Sequence, residues 1–311
     1  MEFKHISVLP LECMEALDIK PCGTYVDATT GAGGHSLMIA ERLSEKGRLF
    51  CFDRDEEALA AAKERLKDHL RKVTFIKSNF ADMKQRLSEQ GVSGVDGILF
   101  DLGVSSYQLD NKDRGFSYMH DARLDMRMDR SESFSAYDVI NTYSEEQLSE
   151  IFFKYGEERY SKRIAQNIVK ARQERPVETT FELVDIIKAS MPSAAKKEKQ
   201  HPAKRVFQAV RIEVNRELSS VEEAVENGIE ILNSGGRIAV ISFHSLEDRL
   251  VKLLFQKAES PCTCPKDFPV CVCGKKPIVK IINKKVITAS EKELEENPRS
   301  RSAKLRVAEK L

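Results

Sequence analysis

Two carboxylates and one glycine-rich turn hold the chemistry this chain can be expected to perform. The run Tyr25-Val26-Asp27-Ala28-Thr29-Thr30-Gly31-Ala32-Gly33-Gly34-His35-Ser36 is a short apolar stretch that stops at an acid and opens into glycines. Glycines let a backbone approach a ligand closely, and the free N–H groups of a helix start favour an anionic group there. Asp53 ends a second apolar run and Asp101 a later one. An acid at the first place can accept hydrogen bonds from ribose hydroxyls, and one at the second stands beside a reacting centre.

Which cofactor such a loop serves is decided by what it lacks. A phosphate-binding NTPase loop needs Gly-Lys-Ser/Thr, and Gly34-His35-Ser36 offers no lysine. A dinucleotide fingerprint needs a third glycine where Ser36 stands, although Asp53 falls at the expected distance of ~20 residues. S-adenosylmethionine has a ribose but no pyrophosphate. It asks for a glycine turn at its methionine end, an acid for the ribose and an apolar wall for adenine. Asn79-Phe80 is placed for the adenine and Asp101 for the reacting end. Any one of these residues reads equally well as a cap or turn former; the set reads as a ligand site.

Strands must carry these residues. Apolar runs at 24–28, 48–53, 73–76 and 95–101 predict four of them. Helical patterns at 10–18, 37–43 and 83–90 surround them, with another helix capped by Asp55 and striped by Leu59, Ala62 and Leu66. Such alternation with short connections predicts an α/β fold with a mostly parallel sheet. From about Tyr107 to about Pro202 the strand signal fades, and periodicity at 145–153, 161–174 and 181–190 predicts a helical insertion. A helix at 219–232, a strand at 235–243 and a helix at 244–256 resume the pattern. Residues 278–288 and 303–308 then supply two last edge strands. The expected division is a cofactor-binding domain of residues 1–106 and 203–311 around a helical domain of residues 107–202.

The length of 311 residues suits one large domain or two modest ones, at ~100–200 residues each. Basic and acidic residues balance at 50 against 49, so a soluble folded chain is expected, and a nucleic-acid partner has to be read from clustering of charge. No apolar stretch is long enough to span a bilayer. The opening residues carry Glu2, Lys4 and His5 instead of a charged-then-apolar leader. A cytoplasmic protein with no membrane partner is the expectation.

At Asp101-Leu102-Gly103-Val104-Ser105-Ser106-Tyr107-Gln108-Leu109-Asp110 the chain resembles the MraW family, the ribosomal small subunit methyltransferase H family. The resemblance extends to His5-Ile6-Ser7-Val8-Leu9, the loop from Asp27 to Ser36, Arg114-Gly115-Phe116-Ser117-Tyr118 and Leu124-Asp125-Met126-Arg127-Met128-Asp129. Two further blocks, His201 to Arg211 and Ile241 to Arg249, follow in the family's order, so nearly the whole chain is covered. Ala122-Arg123 departs from a Gly-Pro common before Leu124, which bears on the local turn only. The resemblance implies a class I, Rossmann-like, S-adenosylmethionine-dependent methyltransferase whose helical insertion is the RNA substrate domain. It implies methyl transfer to the exocyclic N4 of a cytosine in bacterial 16S rRNA, tuning the decoding centre, with the assembled small subunit as substrate. By the family's pattern Gly33, Gly34 and His35 contact the cofactor, Asp53 holds the ribose, Phe80 lies at the adenine, and Asp101 and Gln108 complete the site.

Cytosine N4 is a poor nucleophile because its lone pair is delocalised into the ring. An acceptor at the N–H frees that pair, and a carboxylate also stabilises the charge developing on nitrogen. Asp101 is the candidate catalytic acceptor, and its alternative role is to bind the cofactor's ammonium group. Related amino-methyltransferases carry Pro-Pro-Tyr where Ser105 and Ser106 begin, so Tyr107 or Phe116 is left to stack on the base, unless each is core. His244 can be read as a base by its titration range, or as a helix-start or RNA-facing residue.

Basic residues cluster at Lys196, Lys197, Lys199, Lys204 and Arg205, at Lys275, Lys276, Lys280, Lys284 and Lys285, and at Arg299, Arg301, Lys304 and Arg306. Each run alone is a solvated surface; three in a near-neutral chain suggest a face for phosphates. Four of the seven cysteines form two Cys-x-Cys pairs, Cys262 with Cys264 and Cys271 with Cys273. They read as ligands of a structural Zn²⁺ or as redox-sensitive thiols. Cys13, Cys22 and Cys51 read as ordinary. The other functional classes to weigh are an adenosine-cofactor dehydrogenase, disfavoured by Ser36, and a non-catalytic RNA-binding assembly factor. Monomer and homodimer are both open.

Overall fold

The computed structural model describes residues 7–192, 201–265 and 272–311, with the backbone alone at 106 and 107. The chain forms two compact units, one of Met1–Gly103 and Leu218–Leu311 and the other of Val104–Glu217. In chain order the first unit begins with α1 (Pro10–Leu17), β1 (Thr24–Asp27), α2 (Gly34–Arg42) and β2 (Arg48–Asp53). It continues through α3 (Glu56–Arg65), β3 (Val73–Lys77), α4 (Met83–Glu89) and β4 (Val95–Asp101). The second unit holds α5 (Ser106–Asp110), α6 (Ala136–Thr142), α7 (Glu145–Gly156), α8 (Ser161–Glu174), α9 (Thr180–Ser190) and α10 (Lys204–Asn215). The first unit resumes along α11 (Glu217–Ile231), then β5 (Leu232–Ser242), α12 (Ser245–Glu259), β6 (Val279–Ile281), α13 (Glu291–Glu296) and β7 (Lys304–Lys310).

The first unit is built on one sheet of order β3-β2-β1-β4-β5-β7-β6. Its first five strands are parallel, and β7 runs antiparallel to both β5 and β6. Strands covered on both faces read as nearly continuous apolar runs, which is why Arg48-Leu49-Phe50-Cys51-Phe52 shows no polar alternation. Alternate side chains nevertheless go to opposite faces. Phe50, Phe52, Ile98 and Phe100 join a core with Met83 and Leu87 of α4, Val225 of α11 and Phe255 of α12. Leu49, Cys51 and Leu99 join the other core, with Cys13 of α1, Ile39 of α2 and Ala62 of α3. Each such apolar side chain contributes roughly 1.5–3 kcal/mol as an upper figure.

Strand order reverses between β1 and β4, and in open α/β sheets ligands bind outside the carboxyl ends of the strands at that point. Asp27, Asp53 and Asp101 are the last residues of β1, β2 and β4. The sheet therefore delivers three carboxylates to one edge.

The second unit has its own core, where Leu148, Ile151 and Phe152 of α7 pack with Val206, Phe207 and Val210 of α10 and Ile164 of α8. Ser144 and Thr179 cap α7 and α9, accepting from the backbone N–H of Gln147 at 3.2 Å and Glu182 at 3.3 Å. Arg114 is fully buried and donates to the carbonyls of Arg127 and Met128, both at 3.0 Å. Where Ala122-Arg123 stands, the turn is closed by Thr180 N–H donating to the Ala122 carbonyl at 2.8 Å.

Three expectations need correction. The sequence boundary at 202 cuts off α10, an unanticipated helix whose apolar face fills the helical core, so the helical unit runs to Glu217. The two final strands are not both edges: β7 lies inside the sheet between β5 and β6. Of residues 278–288 only Val279–Ile281 forms a strand, and Ile287 adds a single bridge to Leu305.

Candidate active site

The loop after β1 is stitched to three strands at once. Thr30 N–H donates to the Phe52 carbonyl at 2.9 Å and Gly31 N–H to Asp53 Oδ2 at 2.8 Å, both on β2. Asp101 N–H, on β4, donates to Thr29 Oγ1 at 2.6 Å. Asp27 is buried, accepts Thr29 N–H at 3.2 Å, and takes the Ser36 hydroxyl on its other oxygen at 2.5 Å. Burial pushes the Asp27 carboxyl up to about 6, with Ser36 and Thr29 opposing. The sequence marks Asp27 as the acid that ends the first run and Ser36 as a missing glycine, but it does not give them, or Thr29, this bonded role; an acid and two hydroxyls flanking a glycine turn are the signal that could have found it.

The glycines divide by what surrounds them. Gly33 sits at φ +78°, and a Cβ there would meet Leu66 Cδ1 at 2.9 Å. A Cβ at Gly34 would lie 2.1 Å from Ser7 Oγ. Protein packing explains both. Gly31, at φ +50°, faces open space, its nearest such contact being the Thr29 carbonyl at 4.0 Å. The backbone N–H groups that begin α2 lie directly after this opening.

His35 is buried, and its Nε2 donates to the Val8 carbonyl at 2.8 Å. Its Nδ1 lies 3.7 Å from Asp101 Oδ2. The other oxygen of Asp101, Oδ1, is buried with no hydrogen-bond partner among the described residues. Burial pushes the Asp101 carboxyl up to about 6; His35 opposes the shift, and Asp27 and Glu247 add to it. Asp53 is likewise raised by burial to about 6, against the pull of its backbone donors, Asp55 N–H at 2.9 Å and Gly31 N–H. Each Asp53 oxygen keeps a lone pair for a further donor.

Phe80 packs edge-on against Phe100, with centroids 5.7 Å apart at 85°, so β4 holds its ring. Asn79 is committed elsewhere, accepting from Ala81 N–H at 3.1 Å and donating to Ser220 at 3.0 Å. Gln108 belongs to the helical unit, where its Oε1 accepts from Ser105 N–H at 3.2 Å. Phe116 is core of that unit, and the Tyr107 side chain lies outside the described residues.

His244 is the N-cap of α12. Its Nδ1 accepts from Glu247 N–H at 3.3 Å, and Glu247 reaches back to His244 N–H at 3.3 Å and Phe243 N–H at 2.8 Å. The helix-start reading of this histidine is the one the geometry carries. Among the basic runs, Arg306 and Lys304 are engaged by Asp248 at 2.7 and 3.2 Å. Lys275, Lys276, Lys280, Lys284, Lys285, Arg299 and Arg301 are exposed, whereas Lys196, Lys197 and Lys199 lie outside the described residues.

Cys13 and Cys51 are buried, and burial raises both thiols, which keeps them protonated and inert. Cys262, Cys264 and Cys273 converge instead, their sulfurs all within 4.8 Å of one another, while Cys271 lies outside the described residues.

A seven-stranded sheet with one antiparallel strand, a glycine turn after β1 and acids ending β2 and β4 defines a class I, Rossmann-like methyltransferase that uses S-adenosylmethionine. The unbonded Asp101 oxygen, the space beside Gly31 and the backbone N–H groups at the start of α2 fit that cofactor's ammonium and carboxylate. The chain belongs to the MraW methylase family, whose sequence profile matches residues 2–311. It is 56% identical to a ribosomal RNA small subunit methyltransferase H of Clostridium botulinum and 55% identical to one of Clostridioides difficile, over all of this chain and all of each relative. A Brevibacillus brevis protein of the same name is 54% identical over all of this chain and 99% of its own.

Proposed function

We propose that this protein transfers a methyl group from S-adenosylmethionine to the exocyclic N4 of a cytosine in 16S rRNA, acting on the assembled small ribosomal subunit in the cytoplasm. Family membership and relatives matched from end to end support the substrate class. One structural observation supports the chemistry: Asp101 ends β4 with a buried carboxylate oxygen that no described residue satisfies. A buried acceptor without a donor is costly, and a cytosine amino group or a cofactor ammonium would supply the donor.

Bound S-adenosylmethionine supplies the electrophilic methyl of its sulfonium. The protein's task is then alignment and charge. Asp53 accepts the ribose hydroxyls on its remaining lone pairs, and Phe80 forms the apolar wall for adenine. The N–H groups opening α2, at Gly34 and His35, face the anionic end. Asp101, ionised, would accept the amino N–H and stabilise the charge that grows on nitrogen as the sulfonium becomes a neutral thioether, and the methylated nitrogen would then lose its extra proton to solvent. His244 is read as a helix start, its Nδ1 accepting in the cap of α12.

The helical unit and the exposed lysines of residues 275–285 contact rRNA phosphates, and the target base leaves any stack to reach the methyl. No helix among the described residues is long and apolar enough to cross a membrane. The test is transfer of tritiated methyl to small subunits lacking the modification, followed by nucleoside mapping. Label on N4-methylated cytidine is the expected result. Cofactor binding with no transfer to any small-subunit RNA would replace this reading with a non-catalytic assembly factor.

A further inference from the structure

The segment joining α12 to β6 leaves the fold at Ser260 and returns at Ile278, whose N–H donates to the Ala258 carbonyl at 2.9 Å. Among the described residues of this excursion the large apolar side chains face solvent: Val272 is 74% exposed and Ile278 44%. Yet Cys262 and Cys264 on the outgoing limb meet Cys273 on the returning one. Cys262 Sγ and Cys273 Sγ are 3.8 Å apart, far beyond the ~2.05 Å of a disulfide. A tetrahedral zinc with Zn–S bonds of about 2.3 Å spaces its sulfurs about 3.8 Å apart. The Val272 N–H also donates to Cys264 Sγ at 3.4 Å, which turns that sulfur toward the returning limb.

We propose that Cys262, Cys264 and Cys273 are ligands of a structural Zn²⁺ that staples this loop. Soft thiolates in a tetrahedral set select zinc among the common divalent ions. Each thiol that binds releases its proton to solvent, so uptake is coupled to pH, and the metal supplies the ordering a core would otherwise give. The staple presents Lys275 and Lys276, both exposed, directly beyond its last ligand. The site stands apart from the methyl-transfer chemistry and does not depend on it.

Metal analysis of the full-length protein, purified with a reductant and no added metal, tests this directly. About one zinc per chain is expected, released by a mercurial and lost in Cys262→Ser and Cys273→Ser but kept in Cys22→Ser. Should the serine variants fail to fold, cobalt exchange into the unaltered protein gives a second reading. A thiolate-to-cobalt charge-transfer band with tetrahedral d–d absorption is then expected. A protein that binds no metal when stoichiometric zinc is offered under reductant would overturn the proposal. So would zinc content that survives both serine substitutions.

Discussion

His35 Nδ1 faces Asp101 Oδ2 across 3.7 Å while Nε2 of the same ring donates to the Val8 carbonyl at 2.8 Å. A carbonyl cannot donate, so Nε2 carries a proton and Nδ1 of the neutral ring carries none. Asp101 consequently meets a lone pair when His35 is neutral and a cation when it is charged. The carboxylate at the reacting end is tuned by a ring held from behind.

The acid limb of the rate follows from that pairing. Asp101 accepts an amino proton only when ionised, and burial holds its carboxyl at about 6. Methyl transfer should therefore fall as pH drops through about 6. In His35→Gln the amide can still donate to Val8, but the pull that lowers Asp101 is gone. The limb should move to higher pH, read from kcat/KM profiles of both proteins; an unmoved limb would assign it to another group. Asp101→Asn should lower kcat by roughly 10²–10³-fold. Calorimetric cofactor affinity, unchanged in that variant, would separate the acceptor role from ammonium binding.

Asp27 makes a prediction about stability. Its folded carboxyl is raised by burial from 3.8 to about 6. A raised carboxyl binds its proton more tightly in the folded state, so its contribution is fullest below about 4 and is lost as pH rises through about 6. The difference amounts to roughly 3 kcal/mol. Asp27→Asn is neutral throughout and should lack this slope. Denaturant unfolding of both proteins between pH 4 and 7 measures it, and a gap that does not vary with pH would contradict the assignment.

His244 should matter to the fold more than to the reaction. Removing an N-cap costs about 1 kcal/mol, and here it also removes the imidazole whose Nε2 lies 3.1 Å from the buried Glu247 carboxylate. His244→Ala should lower the thermal midpoint while methyl transfer persists at temperatures where it stays folded. Loss of transfer in a protein that unfolds like the parent would restore the general-base reading.

Much of the scaffold was legible because its physics is local. Runs such as Arg48 to Asp53 are apolar without alternation, and Asp55 announces a helix start in its side chain. What the sequence hid is non-local. β7 enters between β5 and β6 only because the chain doubles back, which no window of residues records. α10 carried a local signal that went unread, since Ala203, Val206, Phe207 and Val210 recur at helical spacing; only its packing against α7 is non-local. At the site, the carboxylates could be read as strand ends, but the orphaned oxygen of Asp101 and the Val8 anchor of His35 exist only once the sheet assembles. Phe116 looked like a stacking surface because an aromatic in a polar stretch gives no sign of which way it turns; it turns inward.

The glycine turn offers the sharpest separation of folding from ligand binding. Gly33 and Gly34 look like ligand glycines in sequence, yet protein atoms occupy the space where their side chains would be. Gly31 alone in the turn has room for a side chain, with no contact nearer than the Thr29 carbonyl at 4.0 Å. Alanine in left-handed backbone costs about 1–2 kcal/mol wherever it is placed. Gly33→Ala adds to that a 2.9 Å approach to Leu66, so it should lose stability well beyond this amount. Gly31→Ala should lose only the conformational amount, because nothing lies in the methyl's way until S-adenosylmethionine binds. Its cofactor affinity should drop by more than tenfold while the unfolding midpoint moves little, with calorimetry and thermal unfolding read on the same preparation. Equal affinity in Gly31→Ala and the parent would move the cofactor seat away from this turn.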